Sequence, residues 1–252
     1  METKLPRNFT HHSGTVLKAF KVLEIIAQQE RPASLNELIE IIGMDKSTTF
    51  RLIKSLIEAG YVKQDESKKY FLSFKIISLA RNLLTDNYHY KNCMEIMEKI
   101  AFESHETVHL NVLDDDQSLV AGKIKGSELV AVNFEIGDRA PLHCTSIGKV
   151  FLAYQDNAFI DKIIQNGLTQ MTSHTITDES ELRREILKIR ERGYATDNEE
   201  LSLGLRCIAV PVFSNRGFAR MGISISGPTS RFTNEKLDEL RLILIKHVKI
   251  IG

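Results

Sequence analysis

The sequence predicts an α+β chain in two units: an N-terminal winged helix-turn-helix, then a linker helix, then a larger domain built on one central antiparallel sheet. Three observations predict it. Two apolar-striped helical segments are parted by a turn of only about three residues after Gly43. Two short apolar strands then flank a polar tip between Val62 and Leu72. Beyond residue 88, short strand-like runs alternate with helical periods, the pattern of an α+β layer fold.

The first helix is expected from Val16, Ala19, Phe20, Leu23 and Ala27, which recur at helical spacing before Pro32 closes the segment. Ser34 and Glu37 form a capping box for a short second helix with Leu35, Leu38, Ile39 and Ile42 as its buried stripe. Gly43 stops it, and Asp45 can cap a third helix over 46–59. At roughly 100° per residue, Phe50, Leu52, Ile53, Leu56 and Ile57 fall on one side of that helix. Ser47, Thr48, Arg51, Lys54, Ser55 and Glu58 fall on the other. The second helix of such a motif is the one that enters the major groove. Arg51 is therefore the candidate for a guanine edge, while Lys46, Ser47, Thr48 and Lys54 suit phosphates, with the helix N-terminal amides assisting. The wing carries Lys68 and Lys69 where it would meet a sugar-phosphate backbone. The same fold could serve protein contacts instead, because a fold does not set its function.

The charge distribution agrees modestly with a nucleic-acid partner. Residues 1–86 hold 13 Lys and Arg against 10 Asp and Glu, a net of +3 that the remainder cancels, so placement of the cations matters more than their sum. With 252 residues, 42% of them hydrophobic, the chain can bury a sizeable core in a second unit. No run approaches the roughly 18 apolar residues of a membrane span, and residues 1–14 lack the apolar centre of a signal peptide, so a cytoplasmic protein is expected. Cys93, Cys144 and Cys207 are sparse, odd in number and without paired spacing, which favours free thiols.

Phe74, Ile77, Ala80, Leu83 and Leu84 continue as a linker helix, and residues 88–104 form a second amphipathic stretch with Cys93, Met97, Ile100 and Ala101 on one face. Strands are expected over 108–113, 119–124 and 129–134, with the Asp114 to Asp116 run as a turn; calcium binding would need an acidic loop pattern that is absent. Helices follow over 147–154, 159–165 and 179–192, the last ended by Gly193. Strands over 207–213 and 219–226 are joined by the turn residues Ser214 to Gly217. Ile223 and Ile225 alternate with Ser224 and Ser226, which puts hydroxyls on one sheet face. A final helix over 234–251 would cover a sheet face.

Two further blocks resemble a known family. Gly137 to Lys149, containing Arg139-Ala140-Pro141-Leu142-His143-Cys144-Thr145-Ser146-Ile147-Gly148, is the first. Arg192 to Glu200, Gly204 to Val212, Ser226-Gly227-Pro228 and Arg231 make up the second. With the winged helix they resemble, in order from about Gly14 to the C-terminus, the IclR family of bacterial transcriptional regulators. The resemblance implies a flexible N-terminus over 1–14, a DNA-binding domain over 15–73, a linker helix over 74–87 and a GAF-like effector-binding domain over 88–252. It implies a homodimer, often paired into a tetramer on an operator duplex, and a small carboxylate metabolite as effector. Ala140, Ser146 and Ile147 should then lie at the pocket, with amides at the start of the following helix receiving a carboxylate. Asp197, Leu205, Cys207, Ser224 and Ser226 should form the opposite wall.

Other readings of these residues stay open on sequence alone. Gly137, Gly148, Gly204 and Pro228 suit turns, and Arg139 could pair with Glu199 or Glu200. His143, Cys144, Asp197 and Cys207 could hold zinc, or Cys207 with His143 could act as a thiol sensor or enzyme, though no metal or nucleophile motif accompanies them. The expectation is a regulator without cofactor, metal or catalysis.

Overall fold

The computed structural model describes residues 13–84, 88–132, 134–213 and 219–249. The chain divides into two compact units, residues 1–86 and 87–252.

The first unit holds α1 (Gly14–Ala27), α2 (Leu35–Ile42), α3 (Lys46–Glu58), β1 (Val62–Gln64), β2 (Tyr70–Leu72) and α4 (Lys75–Leu84). Local chemistry sets its boundaries. The Ser34 amide donates to Glu37 Oε2 at 2.7 Å while the Glu37 amide donates back to the serine hydroxyl, closing the capping box on α2. Gly43 turns the chain in the left-handed region at φ 69°, and Asp45 Oδ1 accepts the Thr48 amide at 2.9 Å to start α3. β1 and β2 pair antiparallel, and Tyr70 also exchanges backbone hydrogen bonds with Ala33, which ties the wing to the entry of α2.

Two apolar faces differ from the sequence expectation. The core side of α1 is Val22, Ile25 and Ile26, with Ala19 and Leu23 partly covered, whereas Val16, Phe20 and Ala27 are exposed. This helix is apolar around most of its circumference, so periodicity alone fits two rotations, and packing against α2, α3 and the wing selects one. In α3, Thr49 takes the inner position beside Leu52, Ile53 and Leu56, which leaves Phe50 40% exposed with the Lys54 ammonium 5.6 Å from its ring.

The second unit begins with α5 (Tyr88–Ser104) and continues through β3 (Val108–Asp114), β4 (Gln117–Ile124), β5 (Arg139–Pro141), α6 (Ser146–Ala153), α7 (Asn157–Gln165), α8 (Glu179–Arg192), β6 (Ala195–Asn198), β7 (Leu205–Phe213), β8 (Ala219–Pro228) and α9 (Asn234–Val248). Its six strands form one antiparallel sheet in the order β5-β4-β3-β8-β7-β6. One face packs Leu110, Ile208, Ile223 and Ile225 against α5 and α9 through Met97, Ile100, Leu240 and Leu244. The other packs Leu113 and Ala209 against α6 and α8 through Ile147, Phe151, Leu182 and Ile186. Both faces are covered, so Ser224 and Ser226, at 5% and 4% exposure, are buried beneath α6 and not on a solvated face.

Among the described residues of the expected strand over 129–134, none is in a strand. Leu129 is wholly exposed, and the outer neighbour of β4 is the segment 137–141, through Gly137 to Val120 and Val120 to Asp138 backbone bonds and then β5. Three residues of β5 and four of β6 are too short for alternation to announce them. Gly137 and Gly204 do take positive φ, but Gly148 lies inside α6, where a Cβ would overlap the Leu142 backbone; close packing explains it, and no turn does. The Ser214 to Gly217 turn and Ile251 lie outside the described residues. Among the described residues no helix is long and apolar enough to cross a membrane.

Candidate functional site

On the first unit, the outward side of α3 presents Lys46, Ser47, Arg51 and Lys54, all exposed, with Thr48 half-buried. The wing tip is tight. The Asp65 amide donates to the Lys69 carbonyl, the Lys69 amide donates to Asp65 Oδ1 at 2.8 Å, and Lys68 sits at φ 61° with its side chain exposed. The expected help from helix amides meets an obstacle at Thr48. Asp45 occupies that donor, and the bond from the Thr48 amide holds its carboxyl down at about 2, so an anion already stands at the start of α3. Side chains, and not that amide, are left to meet phosphate.

In the second unit, α6 lies over the middle of the sheet and leaves a chamber between them. Its floor crosses the strands in order: Ser118 and Val120 on β4, His109 and Asn111 on β3, Ser224 and Ser226 on β8, Cys207 on β7, Asp197 on β6. Its roof is Thr145, Ser146 and Ile147, and its rim includes Phe134, Asp138, Arg139, Ala140 and Leu201. The space open to the centre of a water molecule is about 40 Å³, against roughly 10–15 Å³ for one water by that measure, so a compact ligand fits. The Thr145 hydroxyl accepts the Gly148 amide at 3.0 Å, which leaves the first two amides of α6, those of Ser146 and Ile147, without an intrahelical acceptor.

The polar floor is only partly satisfied. Asn111 donates to the Ser224 hydroxyl at 3.0 Å. Asp197 Oδ1 accepts the Glu200 amide at 2.7 Å and the Leu201 amide at 3.4 Å, whereas Oδ2 has no partner. Burial pushes the Asp197 carboxyl up to about 7, helped by the neighbouring Glu200 charge. His109 is 1% exposed with both ring nitrogens unpartnered. Burial, reinforced by the Lys123 charge, lowers its pKa to about 4, so the ring is neutral. The Phe134 ring meets it edge-on with centroids 5.8 Å apart; the Phe134 backbone comes near without reaching hydrogen-bond geometry.

Of the residues expected at a pocket, Ala140, Ser146, Ile147, Asp197, Cys207, Ser224 and Ser226 line this one. Leu205 is buried but does not line the chamber, whereas Leu201 does. His109, Asn111 and Ser118 escaped the sequence reading. The signal was present in β3 and β4, where His109, Asn111 and Ser118 interrupt otherwise apolar buried strands. Arg139 pairs with Asp114, its neighbour across β4, and not with Glu199 or Glu200; Glu200 is held by buried Lys149 of α6.

The metal and thiol alternatives lose their geometry. His143 Nε2 lies 2.9 Å from the Thr169 carbonyl, and His143 does not line the chamber. Among the described residues no group of three or more His, Cys, Asp and Glu side chains could hold a metal ion. Cys93, Cys144 and Cys207 are free and buried. Burial and the Asp197 charge raise the Cys207 thiol well above its ordinary range and push Cys144 to about 12, opposite to what a nucleophile requires.

Comparison with known proteins agrees with both units. Residues 15–66 match the IclR helix-turn-helix domain, and residues 86–251 match the C-terminal domain of the bacterial transcriptional regulator IclR. The chain is 37% identical over 228 residues to the HTH-type transcriptional regulator KdgR of Escherichia coli, covering 90% of this chain and 86% of that protein. Among solved structures, the Thermotoga maritima IclR superposes with a TM-score of 0.79 at 31% identity, covering 95% of this chain and 98% of the other. An IclR homologue from Microbacterium hydrocarbonoxydans, solved with 4-hydroxybenzoate, has a TM-score of 0.80 at 20% identity over 94% and 98% of the two chains, a likeness of fold alone.

Proposed function

Because this chain belongs to the IclR family of bacterial transcriptional regulators, we propose that it binds an operator duplex through α3 and the wing, with an affinity set by a small organic acid held in the chamber under α6. The observation that carries this reading is the chamber itself: Ser224, Ser226 and Asp197 are buried polar groups gathered beside two helix amides that lack intrahelical acceptors. Such a set suits a carboxylate. On the DNA side, Arg51 reads base edges while Ser47, Thr48, Lys46, Lys54, Lys68 and Lys69 contact the backbone.

The domain limits follow the same reading, with DNA binding in 15–73, coupling through 74–87, of which Lys75–Leu84 is α4, and effector binding in 88–252. The protein acts as a homodimer that pairs into tetramers on DNA, and the uncovered side of α1, with Val16 and Phe20 at 50% and 58% exposure, suits self-association. Effector binding that favours one arrangement of the receptor domains changes operator affinity through coupling of about 1–3 kcal/mol. The test is a duplex enriched from a random-sequence pool on the full-length protein, titrated by fluorescence anisotropy with and without a panel of short acids. Salt-sensitive binding that one acid class shifts several-fold is the expected result. A chain that enriches no duplex, or whose bound duplex ignores every acid, contradicts the reading.

A further inference from the structure

We propose that His109 and Asn111 make β3 a second recognition wall of the chamber, one that selects an acid bearing hydroxyl groups over an aliphatic or aromatic acid of similar size. The inference rests on the receptor reading above and names the class of its ligand.

His109 is the least explained side chain in the unit. It is 1% exposed in the middle of the sheet, it lines the chamber, and neither ring nitrogen has a hydrogen-bond partner. Leaving a buried donor and acceptor unmade costs stability, and an apolar residue would have suited the edge-on Phe134 ring equally well. A neutral imidazole carries one donor and one acceptor, the same complement as an alcohol. Its charge state also matters. Lys123 stands opposite His109 in the β3–β4 register and is itself ion-paired with Glu135, and burial above all keeps the ring neutral, so the imidazole brings no charge to a carboxylate and offers hydrogen bonds to a hydroxyl.

The neighbours extend the pattern. Asn111 Nδ2 donates to Ser224 Oγ, which turns the serine proton away from the asparagine and frees it to donate to a ligand. At the far side of the floor, Asp197 Oδ2 is a second unpartnered polar atom, separated from His109 by the Ser224 and Ser226 strand and by Cys207. An acid whose remaining atoms were all apolar would leave both ends of this floor unsatisfied. A hydroxyl beside His109 would satisfy that end.

The experiment uses the full chain and defined probes: threonate and gluconate against their unhydroxylated counterparts butyrate and hexanoate, and against benzoate. Binding is read by calorimetry and by shift in melting temperature. Threonate or gluconate should bind at least about tenfold more tightly than the unhydroxylated acids. His109→Leu should lose that preference, while His109→Gln, which keeps a donor and an acceptor, should retain most of it. Without ligand, His109→Leu should melt at a higher temperature than the parent, the mark of a polar group kept for binding and not for folding. Butyrate, hexanoate or benzoate binding as tightly as the hydroxylated acids, or an undiminished preference in His109→Leu, overturns the inference while leaving the receptor reading intact. If no acid of any class binds, both fall together.

Discussion

Lys149, 1% exposed within α6, is ion-paired with Glu200, 7% exposed in the connection from β6 to β7. The pair ties the roof of the chamber to its far wall. Glu200 also donates its amide to Asp197 Oδ1, while Thr175 donates its hydroxyl to the Glu200 carbonyl at 2.6 Å. Losing either charge therefore loosens several chamber elements at once.

Lys149→Met should lower stability by roughly 3–5 kcal/mol, because it leaves Glu200 charged, buried and unpaired. Adding Glu200→Leu should restore most of that loss, since the ion pair as a whole offsets little more than its own desolvation. Urea denaturation of the single and double variants measures both.

Asp197 and His109 should give pH dependences of opposite sign. Folded Asp197 titrates at about 7 against 3.8 for the ordinary carboxyl, so between those values the native state keeps a proton that the unfolded chain has lost, and stability falls as pH rises from about 4 to about 7. Folded His109 titrates at about 4 against 6.5, so the unfolded chain takes up the proton first and stability falls as pH drops from about 6.5 to about 4. The two oppose one another in the parent protein. Asp197→Asn should expose the histidine slope and His109→Gln the aspartate slope, each on the order of a few kcal/mol over its window. Stability curves at several pH values that look alike in both variants would refute the assignment.

Gly148→Ala should displace α6 from Leu142, whose backbone leaves no room for a Cβ. A cost of roughly 1–3 kcal/mol is expected. Weakened binding of any chamber ligand should accompany it, because Ser146 and Ile147 move with the helix. Melting temperature with and without ligand reads both effects.

Arg51→Ala should cost roughly 1–3 kcal/mol of operator affinity and relax base preference, whereas Lys68→Ala should weaken all duplexes alike and make the slope of log affinity against log salt shallower by about one for each phosphate that Lys68 neutralises. Anisotropy titrations on matched and scrambled duplexes separate the two. Unchanged discrimination in Arg51→Ala would remove that residue from base reading.

Features that depend on near neighbours in the chain were legible in the sequence. The Ser34–Glu37 box, the Gly43 stop, the Asp45 cap and the Gly193 end of α8 are local hydrogen-bond and backbone requirements, and the structure has all four. The ordered blocks around Ala140 to Gly148 and Asp197 to Ser226 likewise pointed to seven of the sixteen described residues that line the chamber. Packing between distant segments was needed to set which way an ambiguous helix turns, as with Val16 and Phe20 exposed in place of Val22 and Ile26. It also set the pairing of β4 with Arg139–Pro141, the presence of Leu201 and not Leu205 at the chamber, and the place of His109 within it. Rotation, register and burial are settled by contacts between segments distant in sequence, and the energy of those contacts has no signature in any one segment.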